Sequence, residues 1–233
     1  NSSFSLASTA MDFSKNWVAG SSSPEIIFAY VNNSRASSPL NFTLYVNDTD
    51  GSWNYAPSDW CYNSLFADDN TLSRKGDVRL KATFTSQDAN RVIKYPNGTY
   101  QLAETSDYTC TPVVISRISE MYLIKAEALG KTNGAAALVE YMKKRYTTAP
   151  SEAAIKALSD KEYQTLILDE RRREFYAEGM RWQDIKRTNR LELLETLDGR
   201  TYLMYYPIPQ DEIDMAGTVA YPQNPGYAGY TGN

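Results

Sequence analysis

The sequence predicts a mainly α fold: tetratricopeptide-like helix pairs beside an irregular loop-rich region that carries small β-hairpins. Three observations predict it. Near residue 115 the chain changes from short apolar runs among Ser, Asn, Asp, Thr and Gly to long helical patterns that hold most of the charge. SRISEMYLIKAEALG and GAAALVEYMKKRY then follow one another as two helical patterns meeting at Gly130. Alanines at 126, 128, 135, 136 and 137 let those two backbones approach closely, as helix-pair repeats require. Residues 1–115 therefore read as a loop-rich region with short strands, and residues 116–233 as a helical C-terminal region.

In the first half, Pro24 precedes EIIFAYV, a short buried-strand candidate. NFTLYV at 41–46 and VRLKATF at 78–84 alternate in the manner of strands. RVIKY-PNG-TYQLA reads as a hairpin, because Pro96, Asn97 and Gly98 supply turn geometry between two strand-like segments.

In the second half, Ile118, Met121, Tyr122, Leu123, Ile124, Ala126 and Leu129 cover most of a helix circumference, so that helix needs burial on several sides. Where cover is missing, a second copy is the expected occupant. Gly130 stops the helix and Asn133 caps the next one, whose Lys143, Lys144 and Arg145 suit a C-terminus. Ser159-Asp-Lys-Glu162 is a capping box that opens a long helix. On it Tyr163, Leu166, Ile167, Glu170, Glu174, Phe175 and Glu178 fall near one face, so carboxylates continue an apolar stripe. Gly179 interrupts, residues 181–187 resume the helical period, and residues 199–209 become extended, with Pro207 and Pro209 excluding a helix.

Composition narrows the chemistry. The 233 residues include no histidine and two cysteines, which excludes a histidine base, a Ser/His/Asp or Cys/His nucleophile and a four-cysteine metal site. With 24 basic and 28 acidic side chains the net charge is -4, without the basic field that nucleic acid needs. No apolar run approaches the roughly 20 residues that span a bilayer. The N-terminal residues NSSFSLASTAMDF show neither a basic start nor an apolar signal core and lack an initiator Met, so a processed or truncated chain is expected. Polar-tipped rings dominate, 18 Tyr and 4 Trp against 7 Phe, and such rings suit polar, partly flat ligands as well as helix contacts.

The run DERRREFYAEGMRWQDIKR places Glu170, Glu174 and Glu178 one helical turn apart. Paired carboxylates serve acid/base catalysis in glycosidases. Here Arg171, Arg172, Arg173, Arg181 and Arg187 lie among them without a Gly-rich phosphate loop, so a fixed Arg–carboxylate network is the economical reading.

ERRREFYAEGMRWQDIKR, preceded by RISEMYLIKAEAL and followed by YYPIPQDEID and QNPGY, resembles the C-terminal half of the SusD/RagB family of Bacteroidetes surface lipoproteins. EIIFAY near 25 and GDVRL near 76 resemble weaker landmarks of the same family. The resemblance implies tetratricopeptide-like helix pairs with a loop-rich region laid against them, no catalytic residues and no cofactor. It also implies an outer-membrane, surface-exposed lipoprotein that captures glycans, or in some members peptides, and acts as a lid over a SusC-like TonB-dependent transporter. Family chains are about twice as long, with a lipidated cysteine and a first set of helix pairs, so the middle and C-terminal portion is expected here.

Family motifs identify scaffold and leave the ligand site to the loops. The best local candidate is DGSWNYAPSDWCYNSLF at 50–66, where Trp53, Tyr55, Trp60 and Tyr62 alternate with Asn54, Asp59 and Asn63. Flat rings complement the C–H face of a sugar, and the polar side chains its hydroxyl rim; the plainer reading is that the tryptophans anchor the loop. Binding by such rings should depend only weakly on salt. Asp48 and Asp50 make an incomplete calcium loop and are read as solvated turn acids, so no metal is expected. Cys61 and Cys110 form either a bridge or two buried thiols. The leading function is glycan capture for a transporter; the alternatives are a helical-repeat interaction scaffold or a peptide-binding RagB-like protein.

Overall fold

The fold rests on a computed structural model that describes residues 3–18, 23–31, 56–84, 92–94, 112–194, 197–217 and 222–227. In chain order the elements are α1 (Ala10–Ser14), β1 (Ile26–Tyr30), β2 (Lys75–Asp77), α2 (Val78–Thr83), β3 (Val113–Arg117), α3 (Ile118–Arg145), β4 (Tyr146–Thr148), α4 (Glu152–Ala157), α5 (Asp160–Glu174), α6 (Met180–Thr188) and α7 (Gln210–Met215). Short 3-10 turns and a π-helix at Cys61–Leu65 complete the set. The mainly α expectation holds. Asn1–Glu178 and Gly179–Asn233 form two compact units, and the compositional change near residue 115 falls inside the first.

The expected helical hairpin is present. Gly130, at φ +65° and ψ 175°, breaks α3 into two limbs. Asn133, expected as a cap, lies within helical residues, because Gly130 alone takes up the reversal. Close approach of the limbs depends on Gly134, where an added Cβ would stand 2.2 Å from the Ala126 carbonyl oxygen. That carbonyl accepts from the Tyr163 hydroxyl at 2.8 Å, which ties α5 to the hairpin. The cover on the first limb is incomplete: Leu123 and Ala126 are buried, whereas Met121, Ile124 and Leu129 are exposed.

α5 starts at the expected capping box, with Ser159 Oγ accepting from the Glu162 amide and Glu162 accepting from the Ser159 amide. Its buried stripe runs Tyr163, Leu166, Ile167, Glu170, Glu174, as the helical period requires.

Three expectations need correction. VRLKATF is not a strand: Asp77 caps α2 by accepting from the Arg79 amide, and Arg79, Ala82 and Thr83 are buried on one helical face. EIIFAYV does form a strand, but an exposed one, since among the described residues β1 pairs with β3 alone, and Phe28 and Tyr30 face outward at 50% and 60% exposure. Residues 201–204 form a 3-10 turn, and Pro209 stands as the N-cap of α7, where its fixed φ suits a helix start. Lys143, Lys144 and Arg145 stand in the last turn of α3 as expected, the two lysines exposed and Arg145 fully buried.

The named strands pair across distance rather than as hairpins: β1 with β3 and β2 with β4, both antiparallel. The segment 41–46, most of the predicted hairpin around residue 97, and Asp48 and Asp50 lie outside the described residues. Among the described residues, apolar packing includes a cluster of Ala7, Phe13, Trp17 and Ala82 and another of Cys61, Leu65, Phe66, Phe84 and Val92, beside buried side chains of α3, α4 and α5 such as Leu123, Leu138, Ile155 and Ile167. Cys61 is a buried free thiol with Sγ 3.2 Å from the Tyr176 hydroxyl; Cys110 lies outside the described residues.

Candidate functional site

Two arrangements of side chains stand out, one buried and one exposed. The buried one is centred on the α5 carboxylates. Glu174 Oε2 accepts from Arg145 Nε at 2.9 Å and from the Tyr141 hydroxyl at 2.8 Å, while Oε1 accepts from Arg145 Nη2 at 2.9 Å. Glu170 accepts from Arg79 at 2.8 Å, from Arg173 at 2.9 Å and from the Tyr146 hydroxyl. Arg79 also donates to Asp77, Tyr141 and Tyr146, so the one-turn helix α2 is held to α3, β4 and α5 through a single guanidinium.

Arg145 reaches the other way. Its Nη2 donates to Glu25 at 2.7 Å and its Nη1 to the Ala7 carbonyl at 2.6 Å, which fastens the N-terminal segment to α3. Glu25 completes its shell with the Ala7 amide and the Asn16 amide group. Lys94 donates to the Glu174 carbonyl and to Glu178, with the Trp17 ring 4.5 Å from Nζ. Arg117 donates to the same two acceptors and lies against Trp17 and Phe175.

The protonation states follow from this geometry. Burial pushes the Glu174 carboxyl up, but Arg145, Arg117 and Arg79 outweigh it and hold the group well below the usual carboxylate range. Glu170 is lowered in the same way: burial opposes, and Arg79 and Arg173 prevail. Burial raises Tyr141 and Tyr146 well above the ordinary phenol range, so both remain hydrogen-bond donors. Lys94 is brought down to about 8, by burial first, with Glu178 opposing and Arg117 adding to the fall. Glu170 and Glu174 are thus ionised at neutral pH and have no exposure, so neither is placed to hand a proton to a substrate. This is the ion network read from the sequence, but its cations come mainly from α2, β3 and the end of α3. Arg187, expected within it, pairs instead with Asp184 on its own helix.

The exposed arrangement lies at the π-helix. Trp60 is the residue that caps Cys61–Leu65, whose wide turn is closed by the Phe66 amide donating to the Cys61 carbonyl. Trp60 stays 40% exposed, and the Arg172 guanidinium lies over its ring, 4.3 Å from the centroid. Tyr62, two residues on, turns inward: its ring sits 5.3 Å from Phe84 and its enclosed hydroxyl has no partner among the described residues. Burial raises its pKa. Trp60 and Tyr62 therefore go to different surroundings, and Trp53 and Tyr55 lie outside the described residues. Sequence reasoning missed Arg172 as the companion of Trp60. The signal was present, because residue 172 lies off the stripe 163-166-167-170-174 and so points away from the network. Among the described residues no cluster of three or more His, Cys, Asp or Glu could hold a metal, and no helix is long and apolar enough to cross a membrane.

Residues 68–198, more than half of the chain, match the model of the SusD family. The chain belongs to the SusD family. The matched span holds Asp77, Arg79, Arg117, Arg145, Glu170 and Glu174, so the SusD-family region of this chain coincides with most of the buried network. A SusD-like protein of Formosa agariphila is 30% identical over 142 residues, which is 55% of this chain and 27% of that protein. A SusD superfamily protein of Bacteroides fragilis shares the fold at TM-score 0.63 and 21% identity, over 98% of this chain and 56% of that one. The surface glycan-binding protein A of Bacteroides thetaiotaomicron does so at TM-score 0.60 and 21% identity, over 97% and 56%. The chain thus spans about a quarter of its curated SusD-like relative and just over half of these solved SusD-type structures.

Proposed function

We propose that this chain is part of a non-enzymatic, lipid-anchored protein of the outer-membrane surface. In this reading it captures glycans and delivers them to a SusC-like TonB-dependent transporter. Membership of the SusD family carries the proposal. The fold shared with a protein named for surface glycan binding supports the ligand class. Trp60 supports it chemically, since an exposed indole offers the flat apolar face that a sugar C–H face needs. On sequence grounds the proposed ligand residues also include Trp53, Tyr55 and Tyr62, of which Tyr62 packs inward against Phe84.

A glycan panel tests the reading by calorimetry, with product analysis alongside. Binding without release of reducing ends is expected, and Trp60→Ala should weaken it by about 1–3 kcal/mol while the fold persists. Turnover of a bound glycan would refute the non-enzymatic assignment. Co-purification with a barrel transporter tests the delivery step. A second reading, a protein-interaction scaffold, draws on the exposed Met121, Ile124 and Leu129 of α3; peptide binding with no response to any glycan would favour it.

A further inference from the structure

We propose that Trp60 and Arg172 together form an anion-selective sugar platform, so that the glycan taken here is acidic, bearing carboxylate or sulfate groups. The inference rests on the glycan reading above. It starts from three consecutive arginines with different fates. Arg171 is buried and donates to Glu120. Arg173 is buried and donates to Glu170 and to the Leu65 carbonyl. Arg172 is half-buried, and its contact is the face of the exposed Trp60. No carboxylate among the described residues pairs with it; Asp59, exposed and adjacent to Trp60, makes no ion pair with it.

Stacking engages only the flat face of a guanidinium. A guanidinium seated on a ring face keeps its in-plane N–H groups for the fork that captures a carboxylate or sulfate by two parallel hydrogen bonds. The indole meanwhile holds the side chain in place, which removes part of the ordering entropy that a free surface arginine loses on binding. Trp60 and Arg172 thus present two complementary features within a few ångströms: an apolar plane for a pyranose C–H face, and a pre-oriented cation for an anionic substituent. A neutral sugar engages one of them and an acidic sugar engages both. The chain as a whole carries a net charge of -4, so a general attraction for polyanions is absent and selectivity falls to this local pair. Aromatic stacking alone gives the weak salt dependence expected from the sequence; the Arg172 contribution adds a component that fades as salt rises.

The test is calorimetric titration of the whole chain with three oligosaccharides of matched length: an oligogalacturonide, a sulfated galactan and a neutral galactan. The first two separate carboxylate from sulfate as the source of charge. At least one acidic probe should bind about tenfold or more tightly than the neutral one, the effect of one charge-assisted contact. Arg172→Gln should bring that preference to near unity. Arg172→Lys, which keeps the charge but loses the fork, should fall between, and Trp60→Ala should weaken every probe that binds. Circular dichroism melts confirm that each variant is folded. Equal affinity for neutral and acidic probes, or a preference that survives Arg172→Gln, overturns the inference. If the neutral probe binds equally well and depends on Trp60, the inference falls and the glycan reading stands. If none of the three binds, the inference is overturned, and a blank wider panel takes the glycan reading with it.

Discussion

Arg145→Met removes the cation that joins the N-terminal segment to the buried network. Arg145 makes four hydrogen bonds, two to Glu174, one to Glu25 and one to the Ala7 carbonyl. Its two carboxylate partners are left in unequal positions. Glu174 keeps the Tyr141 hydroxyl at 2.8 Å, Arg79 at 3.4 Å and Arg117 at 3.5 Å. Glu25 keeps neutral hydrogen-bond donors, the Ala7 amide and Asn16, and retains only the longer-range attraction of Arg117 as counter-charge among the described residues. Loss of one partner from a buried pair costs about 3–5 kcal/mol. With a urea dependence of about 2–3 kcal/mol per M, the unfolding midpoint should fall by roughly 1–2 M. Glu25→Gln in the Arg145→Met background should then recover part of the loss, whereas Glu174→Gln in that background should recover little. Equilibrium urea unfolding of the four proteins gives these differences, and amide exchange at Ala7 reports whether the N-terminal segment detaches first. A fall of less than about 1 kcal/mol for Arg145→Met, within the range of exposed ion pairs, would refute the argument that this network holds the fold.

Other perturbations probe separate features. Gly134→Ala places a Cβ 2.2 Å from the Ala126 carbonyl oxygen and 2.7 Å from the Tyr163 hydroxyl, so a loss of about 1–3 kcal/mol is expected in thermal or urea unfolding. Glu170 and Glu174 have folded pKa values below their unfolded ones, so their contribution is complete above the ordinary carboxylate range and is lost as pH falls through the folded values. Acid titration followed by circular dichroism should show unfolding only well into acid, and Glu174→Gln should flatten that dependence. Lys94 titrates near 8 in the folded chain against 10.5 for the free side chain, so the unfolded state binds more protons between those values. Stability should therefore rise with pH from about 8 toward 10, and Lys94→Met should abolish the slope. Trp60→Ala should cost the fold only about 0.5–1 kcal/mol, the value of an exposed cation–π contact, so that lost glycan binding is separable from unfolding.

The two sides of α5 have separate surroundings. Seen along its axis, one side carries Glu170 and Glu174 into the network and the other carries Arg172 to Trp60. Substitutions at residue 172 can thus occur without touching the buried charges.

Much of this protein was legible in residue order because the governing interactions are local. The capping box at Ser159 and Glu162 acts across three residues, the reversal at Gly130 depends on one glycine, and the apolar-to-acidic stripe of α5 follows from helical period alone. The absence of histidine excluded whole classes of chemistry before any fold was known, and four ordered motifs were specific enough to indicate the family. Tertiary structure decided the rest. Arg145 sits beside two lysines in sequence and looks like one more helix-end cation, yet it is buried because its acceptors, Ala7 and Glu25, lie 138 and 120 residues away. VRLKATF alternates like a strand, but Arg79 must reach Glu170, 91 residues on, and only a helical turn after the Asp77 cap buries Arg79, Ala82 and Thr83 together. Arg172 likewise finds its ring contact in a tryptophan far off in sequence, at the cap of the π-helix. A charge can leave water only where its counter-charge already waits, and that place is set by the folded chain as a whole, not by the residues on either side.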